Sequence, residues 1–163
     1  MWTGVSGAAF LALLVAPSGA AQTFLSKQPA RVSITIDAPA PGQLELPVRI
    51  TPNPGIHVYA PGNPDYIPVT IELVPPRGWR ADPARFPKAE DLFFPALGES
   101  LKIYSKPFVV TVPIRAASAG SAAASTTIAL TGVLKYQACD DRVCFPPQSA
   151  PFEARLPVAA KRR

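Results

Sequence analysis

Apolar side chains fall at every second position along most of this chain. Val32, Ile34 and Ile36 alternate with Ser33 and Thr35, and Leu44, Leu46, Val48 and Ile50 alternate with Glu45, Pro47 and Arg49. The period returns at Val69, Ile71 and Leu73, at Phe108, Val110, Val112 and Ile114, at Ile128, Leu130, Leu134 and Tyr136, and at Phe152, Ala154, Leu156 and Val158. Successive side chains of a strand point to opposite faces, so this pattern predicts six strands with one face buried. His57 to Ala60 predicts a short seventh. Pro, Gly, Asn and Asp separate these segments, and beyond residue 21 no window shows the 3.6-residue period of a substantial helix. Strands this short bury one face only against a second sheet, which predicts an all-β fold, an antiparallel β-sandwich of immunoglobulin-like type.

The 21 prolines refine that picture. Pro47, Pro113 and Pro157 stand on the polar phase of their strands, and a residue without an N–H fits mainly at sheet edges or bulges. Those strands are therefore expected to be edges or to be interrupted there. Residues 116 to 125, rich in Ala, Ser and Gly, read as a hairpin loop without function. The apolar run from Ala8 to Ala16, followed by Pro17 and small residues to Ala21, reads as a secretory signal over 1–21, although residues 1 to 10 carry no Lys or Arg. Residues 22–163 are then the folded domain, about 140 residues with a core large enough to fold unaided. No segment reaches the roughly 20 apolar residues of a membrane helix, so the chain is expected to be soluble after cleavage. The net charge of +5 is scattered, apart from Lys161-Arg162-Arg163. Without interleaved aromatics that tail does not predict nucleic-acid binding.

Candidate chemistry is concentrated in two thiols. Cys139 and Cys144 are the chain's only cysteines, in a chain expected to be exported, and they follow the strand ending at Tyr136. They belong in or beside a hairpin at the rim of the sandwich. Exported proteins commonly hold structural disulfides, yet closing so small a loop stabilises a fold by only about 2 kcal/mol on the chain-entropy model. Spacing alone leaves a structural and a redox role equally open. A metal site is disfavoured, because the thiolates and His57 lack a fourth strong ligand unless Asp140 or Asp141 supplies it. Hydrolase chemistry would rest on His57 as base without any supporting motif; a lone histidine is more often a hydrogen-bonded rim residue. No nicotinamide or flavin fingerprint is present, so no cofactor is expected.

Tyr136-Gln137-Ala138-Cys139, a short polar insert and Cys144-Phe145-Pro146-Pro147 resemble the active-site strand of the N-terminal periplasmic domain of the DsbD thiol:disulfide interchange family. Pro54-Gly55-Ile56-His57-Val58-Tyr59 is similar to that family's Gly-aromatic-x-Tyr strand, and Phe86 to Phe94 to the segment leading into its cap loop. The similarity runs from about Arg31 to Val158 and implies an immunoglobulin-like fold whose cysteine pair relays electrons in the periplasm. Its implied partners are thioredoxin-like proteins and a membrane-embedded electron donor, the latter expected on a separate chain. Carried over, Cys144 is the sulfur that partners engage and Cys139 the one that resolves the mixed disulfide, an order that the residues themselves do not fix. The resemblance also implies an aromatic cap, from Phe93 or Phe94. His57 and Tyr59 would border the pair from one strand face, with His57 standing where the family often has a tyrosine. Tyr136, Asp140 and Phe145 complete the expected surround. Asp140 and Asp141 disfavour a thiolate at Cys139 while Arg142 opposes them, so neither thiol is expected to be strongly acidified. The competing reading is a non-enzymatic binding or assembly module with a structural disulfide.

Overall fold

The computed structural model describes residues 31–39, 44–95, 98–117 and 127–158. Among them the chain forms β1 (Val32–Ile36), β2 (Glu45–Pro52), β3 (His57–Tyr59), β4 (Thr70–Val74), β5 (Trp79–Ala81), β6 (Glu90–Phe94), β7 (Glu99–Tyr104), β8 (Phe108–Ala116), β9 (Thr127–Tyr136), β10 (Ala138–Cys139) and β11 (Gln148–Pro157). Every pairing is antiparallel. One sheet runs β1-β2-β8-β5, a second β11-β9-β4, and a third β10-β3-β7-β6. This is the immunoglobulin-like all-β sandwich that the alternation predicts. No helix of the described residues is long and apolar enough to cross a membrane.

The alternating apolar positions make the main core. Leu46, Val48 and Ile50 of β2 and Val110, Val112 and Ile114 of β8 cluster with Ile128, Leu130 and Leu134 of β9 and Phe152, Ala154 and Leu156 of β11. Each buried aliphatic side chain stabilises the fold by about 1.5–3 kcal/mol relative to exposure, which gives this core ample strength without a cross-link.

In the third sheet, at the rim, β3 and β10 are buried on both faces. All three residues of β3 are buried, because Val58 joins the main core while Tyr59 lies in a smaller cluster with Leu101, Ile103 and Cys139. β10 divides in the same way, Ala138 inward and Cys139 outward. The period of two therefore serves two cores at once.

Of the two outcomes expected for the proline strands, Pro47 and Pro113 show interruption of pairing and Pro157 an edge. Pro47 and Pro113 lie in interior strands, since β2 sits between β1 and β8, and β8 between β2 and β5. The β1–β2 ladder ends at Ile36↔Val48, where Asp37 N donates to Pro47 O at 3.0 Å. The β5–β8 ladder ends at Ala81↔Ile114, where Asp82 N donates to Pro113 O at 2.9 Å. A strand residue aims its nitrogen and its oxygen at the same neighbour, so each missing N–H falls where pairing stops. Pro157 does lie in an edge strand, β11. The Ala- and Ser-rich stretch expected as a hairpin loop lies, over 118–126, outside the described residues; the flanking strands β8 and β9 belong to different sheets. The expected signal over 1–21 and the tail Lys161-Arg162-Arg163 also lie outside the described residues.

Candidate functional site

Strands β9 and β11 pair as far as Tyr136↔Gln148, and the residues between them fold back as a smaller hairpin. Phe145 N donates to Ala138 O at 2.8 Å and Asp140 N to Val143 O at 3.0 Å. Cys139 and Cys144 face each other between these two hydrogen-bonded pairs, where antiparallel strands come closest. A disulfide joins them, with Cα atoms 4.0 Å apart. Asp140 closes the turn: its Oδ1 accepts from Arg142 N at 2.8 Å and Val143 N at 2.7 Å. The N–H groups of Val143 and Arg142 hold that carboxyl below the usual carboxylate range. At the hairpin's base, Gln137 Nε2 donates to Phe145 O at 3.1 Å and Tyr136 Oη to Gln148 Oε1 at 2.8 Å. The Arg31 guanidinium carbon lies 3.1 Å from the Phe145 ring centroid, a cation–π contact that covers the hairpin's second strand.

The opposite wall is β3, which pairs with β10 through Ala138↔Val58 and Cys139↔His57. Its entry is fixed by Asn53-Pro54-Gly55-Ile56, where Ile56 N donates to Asn53 O at 2.9 Å and Gly55 takes φ 76°. Proline followed by a left-handed glycine is the signature of a type II turn. Tyr59 Oη lies 3.3 Å from Cys144 Sγ. A disulfide sulfur carries no hydrogen, so the phenol donates. Burial, followed by the nearby Glu99 charge, raises the Tyr59 pKa, which keeps that donor protonated at neutral pH.

The two sulfurs differ in access. Cys139 is 1 % exposed, packed with Tyr59, Leu101 and Ile103 and flanked by Tyr66 and Phe94. Cys144 is exposed. The arrangement buries one cysteine of the pair and leaves the other at the surface.

Most of the residues singled out in the sequence meet here. Rings of His57 and Phe94 lie 5.5 Å apart, and those of His57 and Tyr59 5.9 Å. Phe94 packs on the small cluster, whereas Phe93, on the other face of β6, is 58 % exposed. Tyr136 and Phe145 lie at the hairpin's base, against the main core. His57 is buried, and its Nε2 has no hydrogen-bond partner among the described residues. Burial lowers its pKa, and the Asp140 carboxylate only partly opposes this.

Two contributors, Tyr66 and Asn63, were not singled out from the sequence. Tyr66 packs against Tyr59 with the rings tilted and their centroids 4.5 Å apart, and donates to Glu99 Oε1, a bond that pushes its pKa up to about 12. Buried Asn63 holds the loop that carries Tyr66: Nδ2 donates to Ala60 O at 3.1 Å and Lys102 O at 2.7 Å, while Oδ1 accepts from Lys102 N at 2.9 Å. The Pro-Gly-Asn-Pro run at 61–64 marks that loop in the sequence, but nothing there says where its tyrosine lands. Among the described residues no group of three or more His, Cys, Asp or Glu side chains converges as a metal site would require.

A disulfide on a rim hairpin of an immunoglobulin-like sandwich, with one cysteine exposed and the other buried, is an arrangement suited to thiol:disulfide interchange. The family model of the thiol:disulfide interchange protein DsbD, N-terminal, matches residues 21–155. The chain belongs to that family. Among solved structures, the complex between the DsbD N-terminal and PilB N-terminal domains of Neisseria meningitidis is 20% identical with a TM-score of 0.52, covering 82% of this chain and 88% of that one. The N-terminal periplasmic domain of ScsB from Proteus mirabilis is 17% identical with a TM-score of 0.52, covering 83% of this chain and 50% of that one. Both likenesses show the fold. No curated protein matches the chain.

Proposed function

We propose that this domain is a periplasmic relay that carries reducing equivalents on Cys139 and Cys144, from a membrane-embedded or thioredoxin-like donor to exported thiol-disulfide proteins. The observation that carries the reading is the unequal burial of the two cysteines. In the reduced domain the exposed Cys144 thiolate attacks a partner disulfide, one partner thiolate leaves, and a mixed disulfide links the proteins. Cys139 then attacks Cys144 Sγ, the second partner thiolate leaves, and the internal disulfide is restored. Two electrons pass to the partner.

Periplasmic location is supported by the ScsB relative, which is a periplasmic domain, and a protein partner by the Neisseria relative, which forms a complex with the PilB N-terminal domain. A Cys139→Ala variant keeps Cys144 and cannot resolve, so it is expected to hold thioredoxin-like proteins from a periplasmic extract in reducible complexes. The reduction potential is expected above about −300 mV, within reach of such partners. Capture of nothing, with a potential below that value, would identify a structural disulfide instead.

A further inference from the structure

Resting on the exchange reading, we infer that His57 is the proton acceptor for Cys139, taking the thiol hydrogen as this recessed cysteine attacks the mixed disulfide on Cys144. His57 and Cys139 are directly opposed across β3 and β10. Side chains of such partners leave the sheet on the same face, with Cβ atoms about 4.5–5.5 Å apart. Cys139 is sealed from water by Tyr59, Leu101, Ile103 and the flanking Phe94 and Tyr66. A thiol is a poor nucleophile until it loses its proton, and solvent base does not reach one so placed. His57 Nε2 is buried in the same wall and has no hydrogen-bond partner among the described residues. Leaving such an atom unpaired is costly, and the disulfide has no hydrogen to donate to an unprotonated Nε2; the thiol formed on reduction does.

The titratable and charged groups around His57 are Cys139 and Asp140 of the hairpin and Tyr59 of its own strand, with Tyr66 and Glu99 beyond Tyr59. β6 contributes the apolar ring of Phe94 and, on the same strand face, the Glu90 carboxylate, opposite Ile103 and hydrogen-bonded to Ser105. Burial outweighs the Asp140 charge and keeps the imidazole neutral, the form that can accept. The proton moves from Cys139 Sγ to the imidazole, the Cys139–Cys144 bond forms as the bond from Cys144 to the partner breaks, and the partner leaves as a thiolate. His57 then returns its proton to solvent.

A chromogenic aryl disulfide separates the steps, because its thiolate leaves without needing a proton. Reduced wild type should release one equivalent as Cys144 reacts and a second as Cys139 resolves. In His57→Gln and His57→Phe the first release is expected to be unchanged. The second is expected to slow about a hundredfold near neutral pH and to recover as hydroxide rises. A second release with the wild-type rate and pH profile in both variants would overturn the assignment and leave the exchange reading standing. Absence of the first release from wild type would overturn that reading, and the assignment with it. His57 is the sole histidine, so its ring resonances in wild type give a test that needs no variant. Its titration is expected to change on reduction and to register the ionisation of Cys139; identical titrations in both redox states would also count it out.

Discussion

Tyr59 and His57, two residues apart on β3, act on the pair in different protonation states. The Tyr59 hydroxyl, 3.3 Å from Cys144 Sγ, can donate to the Cys144 thiolate of the reduced domain, and hydrogen bonds to charged groups are worth about 1.5–3 kcal/mol. Tyr59→Phe is therefore expected to raise the Cys144 pKa by about 1–2 units, read as a shifted midpoint in the pH dependence of alkylation. His57 leaves its mark on stability. Its folded pKa is lowered from 6.5 by burial, so the unfolded chain binds the proton more readily. The contribution of the neutral ring is complete above that value and is lost as pH falls through the folded one. The urea midpoint of the oxidised domain should fall as pH drops below the ordinary histidine value of 6.5, and His57→Gln should flatten that fall. Asp140, held low by two backbone N–H groups, belongs to a separate window, where its stabilisation disappears below the ordinary carboxylate range.

Strand β6 shows how period-two geometry sorts two adjacent phenylalanines. Phe94 packs beside Tyr59 and Cys139, while Phe93 faces outward. Phe94→Ala is expected to speed air or peroxide oxidation of the reduced pair several-fold, whereas Phe93→Ala should leave the rate unchanged. Equal rates in wild type and Phe94→Ala would remove the shielding role. The sequence showed the long strands clearly, because β2, β8, β9 and β11 each alternate for several residues against one core. It did not show β5, β6, β7 and β10 as strands. β5 and β10 are too short to display a period, β6 carries Glu90, Asp91 and Leu92 on an exposed edge, and β7 offers only Leu101 and Ile103 in alternation. The site was legible as two cysteines with flanking motif residues. Tyr66 and Asn63 were not, because their positions depend on where a loop lands on β7, and no local periodicity encodes that.

At the scale of the whole domain the disulfide is a small part of the stability. Its loop spans five residues in sequence, so closing it constrains the unfolded chain by only about 2 kcal/mol, against a core fed by every long strand. The reduced domain is expected to unfold cooperatively in urea, about 2 kcal/mol below the oxidised form. A reduced form that is already unfolded would make the bridge a staple. β3 and β10, with one face in each core, fasten the cysteine hairpin to the sandwich through Val58 and Ala138, side chains that take no part in exchange. β6 lies at the free edge of the same sheet and is bound on one side only, to β7. Few buried contacts make for easy local opening, so an approaching protein meets a jaw with unequal compliance. The wall bearing the sulfurs is expected to stay put and the wall bearing Phe94 to give way, read as faster amide exchange in β6 than in β3 and β10.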